Sequence, residues 1–372
     1  MTTTNFILQT NRLYFIDAVR AFAILMMLQG HFVDTLLAIE YRDPENMVYR
    51  TWKYFRGITA PTFFTISGLI FTYLLILAKK KGNVRKRMKK GLWRGFMLIG
   101  IGYALRIPIF QWMKLEFSSS ILIIDVLQII GLSIILIVVL YQVLLRRTLY
   151  FSILVLLAGI VIFVTEPLYR KSELQGIPLL FSNYLSKANG SVFTLLPWFG
   201  YMAFGAFIAT LFYRYLKSEK FKPSIILGFV ISGLFLIFFS SHALMLLYGQ
   251  FDIDCFKGAA YFNYLFTRLG NVLILFAIFY AFEFIVKQPL VLRIGQKTLS
   301  IYVIHFIIIY GSFTGFGLNR IIGRTLDPLQ ATLGAVIFLS VVCFLSFYYM
   351  KPNVYIYKQI RKLIDKRKEQ KT

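Results

Sequence analysis

FIDAVRAFAILMMLQGHFVD, residues 15–34, is long and apolar enough to cross a bilayer as a helix, yet it carries Asp17, Arg20, His31 and Asp34. A charged side chain at the centre of a lipid-facing helix costs about 2.5–3.5 kcal/mol. The four groups therefore sit at the helix ends or face something other than lipid. Arg20 and His31 are eleven positions apart, which at about 100° per residue returns them to within about 20° of one face, about 16 Å apart along the axis. Asp17 precedes Arg20 by three positions and Asp34 follows His31 by three, so each carboxylate can reach its neighbour. All four project from one stripe of an otherwise apolar helix.

Of the 372 residues 58% are hydrophobic and 15% charged, against about 45–50% and about 25% in a soluble domain. Apolar runs of roughly a span's length recur from end to end, the pattern of an all-α, polytopic membrane helical bundle. About ten transmembrane helices are expected, at 13–38, 56–78, 91–110, 121–145, 149–165, 195–216, 224–248, 265–286, 299–318 and 329–350. The first twelve residues have neither the basic start nor the short apolar core of a signal peptide, so the first span is expected to be retained. Residues 1–350 are read as one integral-membrane domain and 351–372 as a basic cytoplasmic tail.

The net charge of +25 does not point to nucleic acid, because Lys and Arg fall in alternate loops between the spans. With both termini cytoplasmic, inner segments hold 27 of them and outer segments 12, which satisfies the positive-inside rule. The run KKKGNVRKRMKKGLWR (79–94) reads as a topology signal drawn to anionic lipid, or as a contact for a phosphorylated cytoplasmic donor. Cys255 and Cys343 are too far apart in sequence to suggest a disulfide framework. No metal-ligand cluster is visible and no metal is expected. The longest break, 166–194, is polar and punctuated by Pro and Gly, a segment suited to capping a cavity.

Each polar group has a structural reading beside a functional one. Asp17–Arg20 can be an ion pair that fixes the helix, His31 a satisfied interfacial histidine, and Asp34 a solvated boundary residue. Their shared stripe favours a lining role, the default for ionisable groups that face a bundle interior. Asp125 and Gln128 are three apart on the fourth span and share a face, for a polar cavity or for interhelical hydrogen bonds. Arg106 ends the third span, where an acidic neighbour would pair it. Ser300, Tyr302 and His305 lie on the ninth span. His305 falls about 10 Å from the expected inner edge, which suits the donor side or a structural role. Asn271, Glu283 and His242 read as boundary or packing groups.

The stripe resembles the first helix of the acyltransferase type 3 superfamily, where an arginine and a histidine with ten residues between them mark the active site. Four further segments resemble the catalytic domain of heparan-α-glucosaminide N-acetyltransferase and its bacterial relatives. They are APTFFTISGLIF (60–71), IDVLQIIGLSIIL (124–136), LPWFGYMAFGAFIA (196–209) and IGQKTLSIYVIHFII (294–308). That enzyme has its catalytic histidine in the outer loop after the first span. The corresponding loop here (38–55) contains no histidine, so the base role carries over to His31 alone.

The resemblance implies transfer of an acyl group, usually acetyl, from cytoplasmic acyl-CoA (acetyl-CoA) to a hydroxyl or amine of an extracytoplasmic sugar. It implies His31 and Arg20 as catalytic groups; the residues themselves add Asp34, one turn on, as a group that orients the His31 ring, and Asp17, Asp125, Gln128, Ser300, Tyr302 and His305 as donor- or substrate-binding groups that complete the cavity. Membrane lipid, acyl-CoA and a carbohydrate acceptor are the expected partners, with oligomeric state left open. The bacterial inner membrane is the expected location. A transporter or flippase that uses the same charges as its substrate site is the alternative.

Overall fold

Backbone amides in hydrocarbon find no water, so a spanning segment must close its hydrogen bonds internally. The computed structural model describes residues 13–115, 119–144, 146–170 and 176–348, and the basic tail expected at 351–372 lies outside them. The described residues form helices and one isolated β-bridge between Leu37 and Leu326. The main helices are α1 (Tyr14–Leu36), α2 (Met47–Arg56), α3 (Thr59–Lys80), α4 (Val84–Ala104), α5 (Val126–Val143), α6 (Thr148–Val164) and α7 (Leu195–Tyr215). They continue with α8 (Phe221–Phe238), α9 (Ser240–Phe251), α10 (Tyr264–Ala281), α11 (Pro289–Gln296), α12 (Thr298–Tyr310) and α13 (Pro328–Tyr348).

Each expected span overlaps one or two of these helices, and the chain is an integral, multi-pass membrane protein. Among the described residues seven helical segments are long and apolar enough to cross a bilayer, and α11 with α12, bent by 69°, would make an eighth. The edges differ from expectation for local reasons. α4 starts at Val84 and takes in five basic residues before its apolar part. The span expected at 224–248 is broken at Phe239 into α8 and α9. The one expected at 299–318 stops at Tyr310, where Gly311 turns left-handed with φ 66° and ends the helix.

Small residues set the helix spacing. A methyl on Gly68 of α3 would overlap the Met202 carbonyl of α7, and one on Gly205 would overlap the Thr65 carbonyl. These two backbones therefore touch at two levels. The same reciprocal contact joins Gly95 to Gly131 between α4 and α5, and Gly233 to Gly270 between α8 and α10.

α1 packs against α3, α10, α11, α12 and α13, so its polar stripe faces protein. Leu13 supplies no side-chain cap at its start. The Glu283 carboxylate instead accepts from the Phe15 backbone N–H at 3.1 Å, placing negative charge at the helix N-terminus. Lys222 stands 3.7 Å from that carboxylate.

Candidate active site

The site is built on α1 and the elbow between α11 and α12. α11 lies directly on α1, since a methyl on Gly295 would overlap the Asp17 backbone. The bend after Gln296 then delivers the first residue of α12, Thr298, to Arg20, whose Nη2 donates to Thr298 Oγ1 at 2.7 Å. Asp17 Oδ1 is 3.7 Å from the other guanidinium nitrogen. Arg20 is thus oriented by both a carboxylate and a hydroxyl. It lines a narrow cleft of about 70 Å³ with Arg94, Ser67, Thr298 and Tyr302.

About three turns along α1, His31 Nδ1 lies 2.9 Å from the Tyr310 hydroxyl. The His305 ring lies beside it, tilted by 31° with centroids 5.3 Å apart, and Tyr302 meets His305 edge-on at 4.9 Å. His305 is fully buried, and neither ring nitrogen has a hydrogen-bond partner among the described residues. His31 faces a chamber of about 430 Å³ whose wall includes Arg106, Asp125, Tyr302, Tyr310 and the loop 311–320. Tyr302 lines the cleft and the chamber alike. It is the side chain that separates a cavity containing Arg20 from one containing His31.

Asp125 caps α5, sharing a reciprocal capping box with Gln128, and its Oδ2 takes a 2.9 Å hydrogen bond from Arg106. The pairing expected for Arg106 is therefore made, and the ion pair lines the chamber. Val192, from the polar break 166–194, lines it too. There the backbone amides of Val192 and Phe193 bond to the Ile124 carbonyl.

Several sequence candidates stand elsewhere than expected. The Asp34 carboxylate is engaged by Arg56 at the end of α2, and its backbone carbonyl accepts from Arg42 at 2.8 Å. The ring partner of His31 is accordingly Tyr310, and Asp34 serves to fasten α2. His305 stands beside His31 because α12 begins at the level of Arg20, which carries its eighth residue outward. Gln128 is buried against Gly102, with Oε1 held by the Asp125 N–H, so it braces the α5 cap. Ser300 lines neither cavity, because two residues along a helix turn it about 200° from Tyr302.

Arg94, Thr298, Tyr310 and Arg320 were not singled out by sequence. Arg94 sits at the end of a basic run that reads as loop, and Tyr310 ends an apolar stretch. The one available signal is the glycine-dense GSFTGFGLNR (311–320), which predicts a tight turn without saying what it faces.

The fold is a helical membrane bundle whose first helix presents an arginine to one cavity and a histidine to another. Residues 12–249 match the family model described as heparan-alpha-glucosaminide N-acetyltransferase, catalytic. That is well over half of the chain, which belongs to this family and is a membrane acetyltransferase. No curated protein matches it. The match takes in α1 with Arg20 and His31, whereas α12 and the loop 311–320 lie beyond it.

Proposed function

We propose that the protein moves an acetyl group from acetyl-CoA, entering at the Arg20 cleft, to a hydroxyl or amine of a carbohydrate held in the His31 chamber. The observation that carries this reading is the pair of polar cavities meeting at Tyr302. With the positive-inside orientation, the cleft opens toward the cytoplasm and the chamber toward the outside of a bacterial inner membrane.

In the transfer, the Nδ1–H of His31 donates to the Tyr310 oxygen, which leaves the Nε2 lone pair free to act as base. Nε2 takes the proton of the acceptor O–H or N–H as the acceptor atom attacks the thioester carbonyl. The carbon–sulfur bond breaks, and the proton passes from Nε2 to the departing sulfur, giving free CoA and the acetylated acceptor. Arg20, fixed by Asp17 and Thr298, offers a permanent cation to the donor. Asp34 acts at a distance by holding α2.

The test is CoA release by purified protein in detergent, supplied with acetyl-CoA and a panel of amino sugars and lipid-linked glycans. His31→Ala is expected to lose about 10²–10⁴-fold in kcat, the contribution of a positioned base. Arg20→Ala is expected to raise the KM for acetyl-CoA. A folded His31→Ala variant that retains full acceptor-dependent release removes His31 as base. Absence of acetyl-CoA binding by the wild type removes acyl transfer and favours transport through the same stripe.

A further inference from the structure

The Arg20 cleft and the His31 chamber share one lining side chain, Tyr302. Helical spacing puts it there. Thr298, Tyr302 and His305 follow one another at intervals of four and three residues, so they share a face of α12. Thr298 holds Arg20 and His305 lies beside His31, which leaves Tyr302 between them, one turn beyond the Arg20 contact. Tyr302 is 6% exposed, its ring edge-on to His305 at 4.9 Å and stacked with Phe306 at 6.0 Å.

Other polar groups do not serve this junction. Arg20, Ser67, Arg94 and Thr298 line the cleft and not the chamber. On α1 the residues that line the cleft between Arg20 and His31 are apolar, Ile24 and Met27. In the chamber, Arg106 is turned to Asp125 at 2.9 Å and the Tyr310 hydroxyl to His31 at 2.9 Å. The Tyr302 hydroxyl makes no hydrogen bond with a described residue. Nor is it sealed by protein, as the side-chain oxygens of Ser312 and Asn319 are. It is a donor without a protein partner, at the point where the two cavities meet.

A thioester reaching from Arg20 toward His31 passes this hydroxyl. Attack on its carbonyl builds negative charge on the carbonyl oxygen, and between apolar walls a fixed donor stabilises that charge far more than water does. We propose that Tyr302 is a catalytic residue, the hydrogen-bond donor to the carbonyl oxygen of the thioester as the acetyl group crosses from cleft to chamber. As the acceptor atom bonds to the carbonyl carbon, the C=O π pair moves onto oxygen, which accepts from the Tyr302 O–H without taking its proton. When that pair returns, the carbon–sulfur bond breaks. Sulfur leaves with the bonding pair and takes the proton from His31 Nε2. The role rests on the acyl-transfer reading, and it falls on a residue beyond the matched stretch 12–249.

The full chain, purified in detergent, is assayed for CoA release from acetyl-CoA with the panel of amino sugars and lipid-linked glycans, and for acetyl-CoA binding by calorimetry. Tyr302→Phe keeps the ring against His305 and Phe306 and removes the hydroxyl alone. It is expected to lose about 10²–10³-fold in kcat, the effect of deleting one oxyanion donor. Its dissociation constant for acetyl-CoA and its unfolding temperature are expected to stay at the wild-type values. 3-Fluorotyrosine in place of Tyr302 presents a more acidic phenol and is expected to match or exceed the wild-type kcat. A ring that served packing alone would leave Tyr302→Phe as fast as wild type.

The role is overturned if Tyr302→Phe keeps kcat within about threefold of wild type while His31→Ala is inactive. It is equally overturned if the affinity for acetyl-CoA falls as far as kcat does, which would make the hydroxyl a binding group, or if the fluorotyrosine variant is as slow as Tyr302→Phe. Each of these results leaves acyl transfer standing. A wild type that releases no CoA with any sugar of the panel overturns acyl transfer, and the role of Tyr302 with it.

Discussion

At the scale of single residues, the reading turns on which atoms of His31 and Asp34 are already taken. His31 Nδ1 is occupied by Tyr310 at 2.9 Å, so in the proposed transfer Nε2 is the nitrogen left to act as base. Tyr310→Phe removes that partner while keeping the ring. Loss of a single hydrogen bond costs about 0.5–1.5 kcal/mol, so kcat is expected to fall about three- to tenfold, with the KM for acetyl-CoA unchanged, in steady-state kinetics. An equal loss in every kinetic parameter would point to general unfolding instead. Asp34 behaves differently, because its carboxylate is spent on Arg56. Such half-exposed ion pairs contribute about 0.2–1 kcal/mol. Asp34→Asn is expected to lower the unfolding temperature slightly and to leave kcat within about threefold of wild type.

The residue stripe was legible in the sequence because a straight helix makes spacing equal to facing, and Arg20 and His31 share α1. What lies across from them was not, because it depends on where other helices begin and bend. His305 was expected near the donor side from its distance to a span edge. The elbow between α11 and α12 carries it outward until its ring lies beside that of His31. Arg94 closes the basic run 79–94, which reads as a topology signal, and nothing in its spacing marks it as facing a cavity. Asp34 found Arg56 in preference to His31 through the fold of α2, whose capping by Asn46 sets its start.

Among the elements, the α11–α12 elbow positions the donor cleft. α11 rests on the α1 backbone at Gly295, and a side chain there has nowhere to go without parting the helices. Gly295→Leu is expected to move Thr298 away from Arg20 and to raise the KM for acetyl-CoA more than it lowers kcat. Kinetics on folded protein, with unfolding temperature as the control, check it. An unchanged KM would mean that the elbow does not set the geometry of Arg20. The tail end of the same unit is held by Gly311, whose left-handed backbone stops α12 and starts the turn that brings Ser312, Asn319 and Arg320 to the chamber.

The whole molecule is a bundle held at close spacing by glycine pairs, and its number of apolar runs was readable because each span must be about one bilayer long. The span expected at 299–318 was drawn too long because hydropathy does not register where a left-handed residue, here Gly311, ends a helix. On the proposed reading, the positive-inside bias puts the Arg20 end at the cytoplasm and the His31 end at the far side. The central claim is therefore vectorial: donor and acceptor are used from opposite faces of one membrane.

The most direct measurement reconstitutes the protein into sealed, orientation-sorted liposomes, with acetyl-CoA on one side and an amino sugar on the other, and follows the acetylated sugar. The account predicts product when acetyl-CoA is on the side of the basic segment 79–94 and the sugar opposite, little when the two are exchanged, and none from His31→Ala. Product formed only when donor and acceptor share one side, or formed equally by His31→Ala, would contradict it.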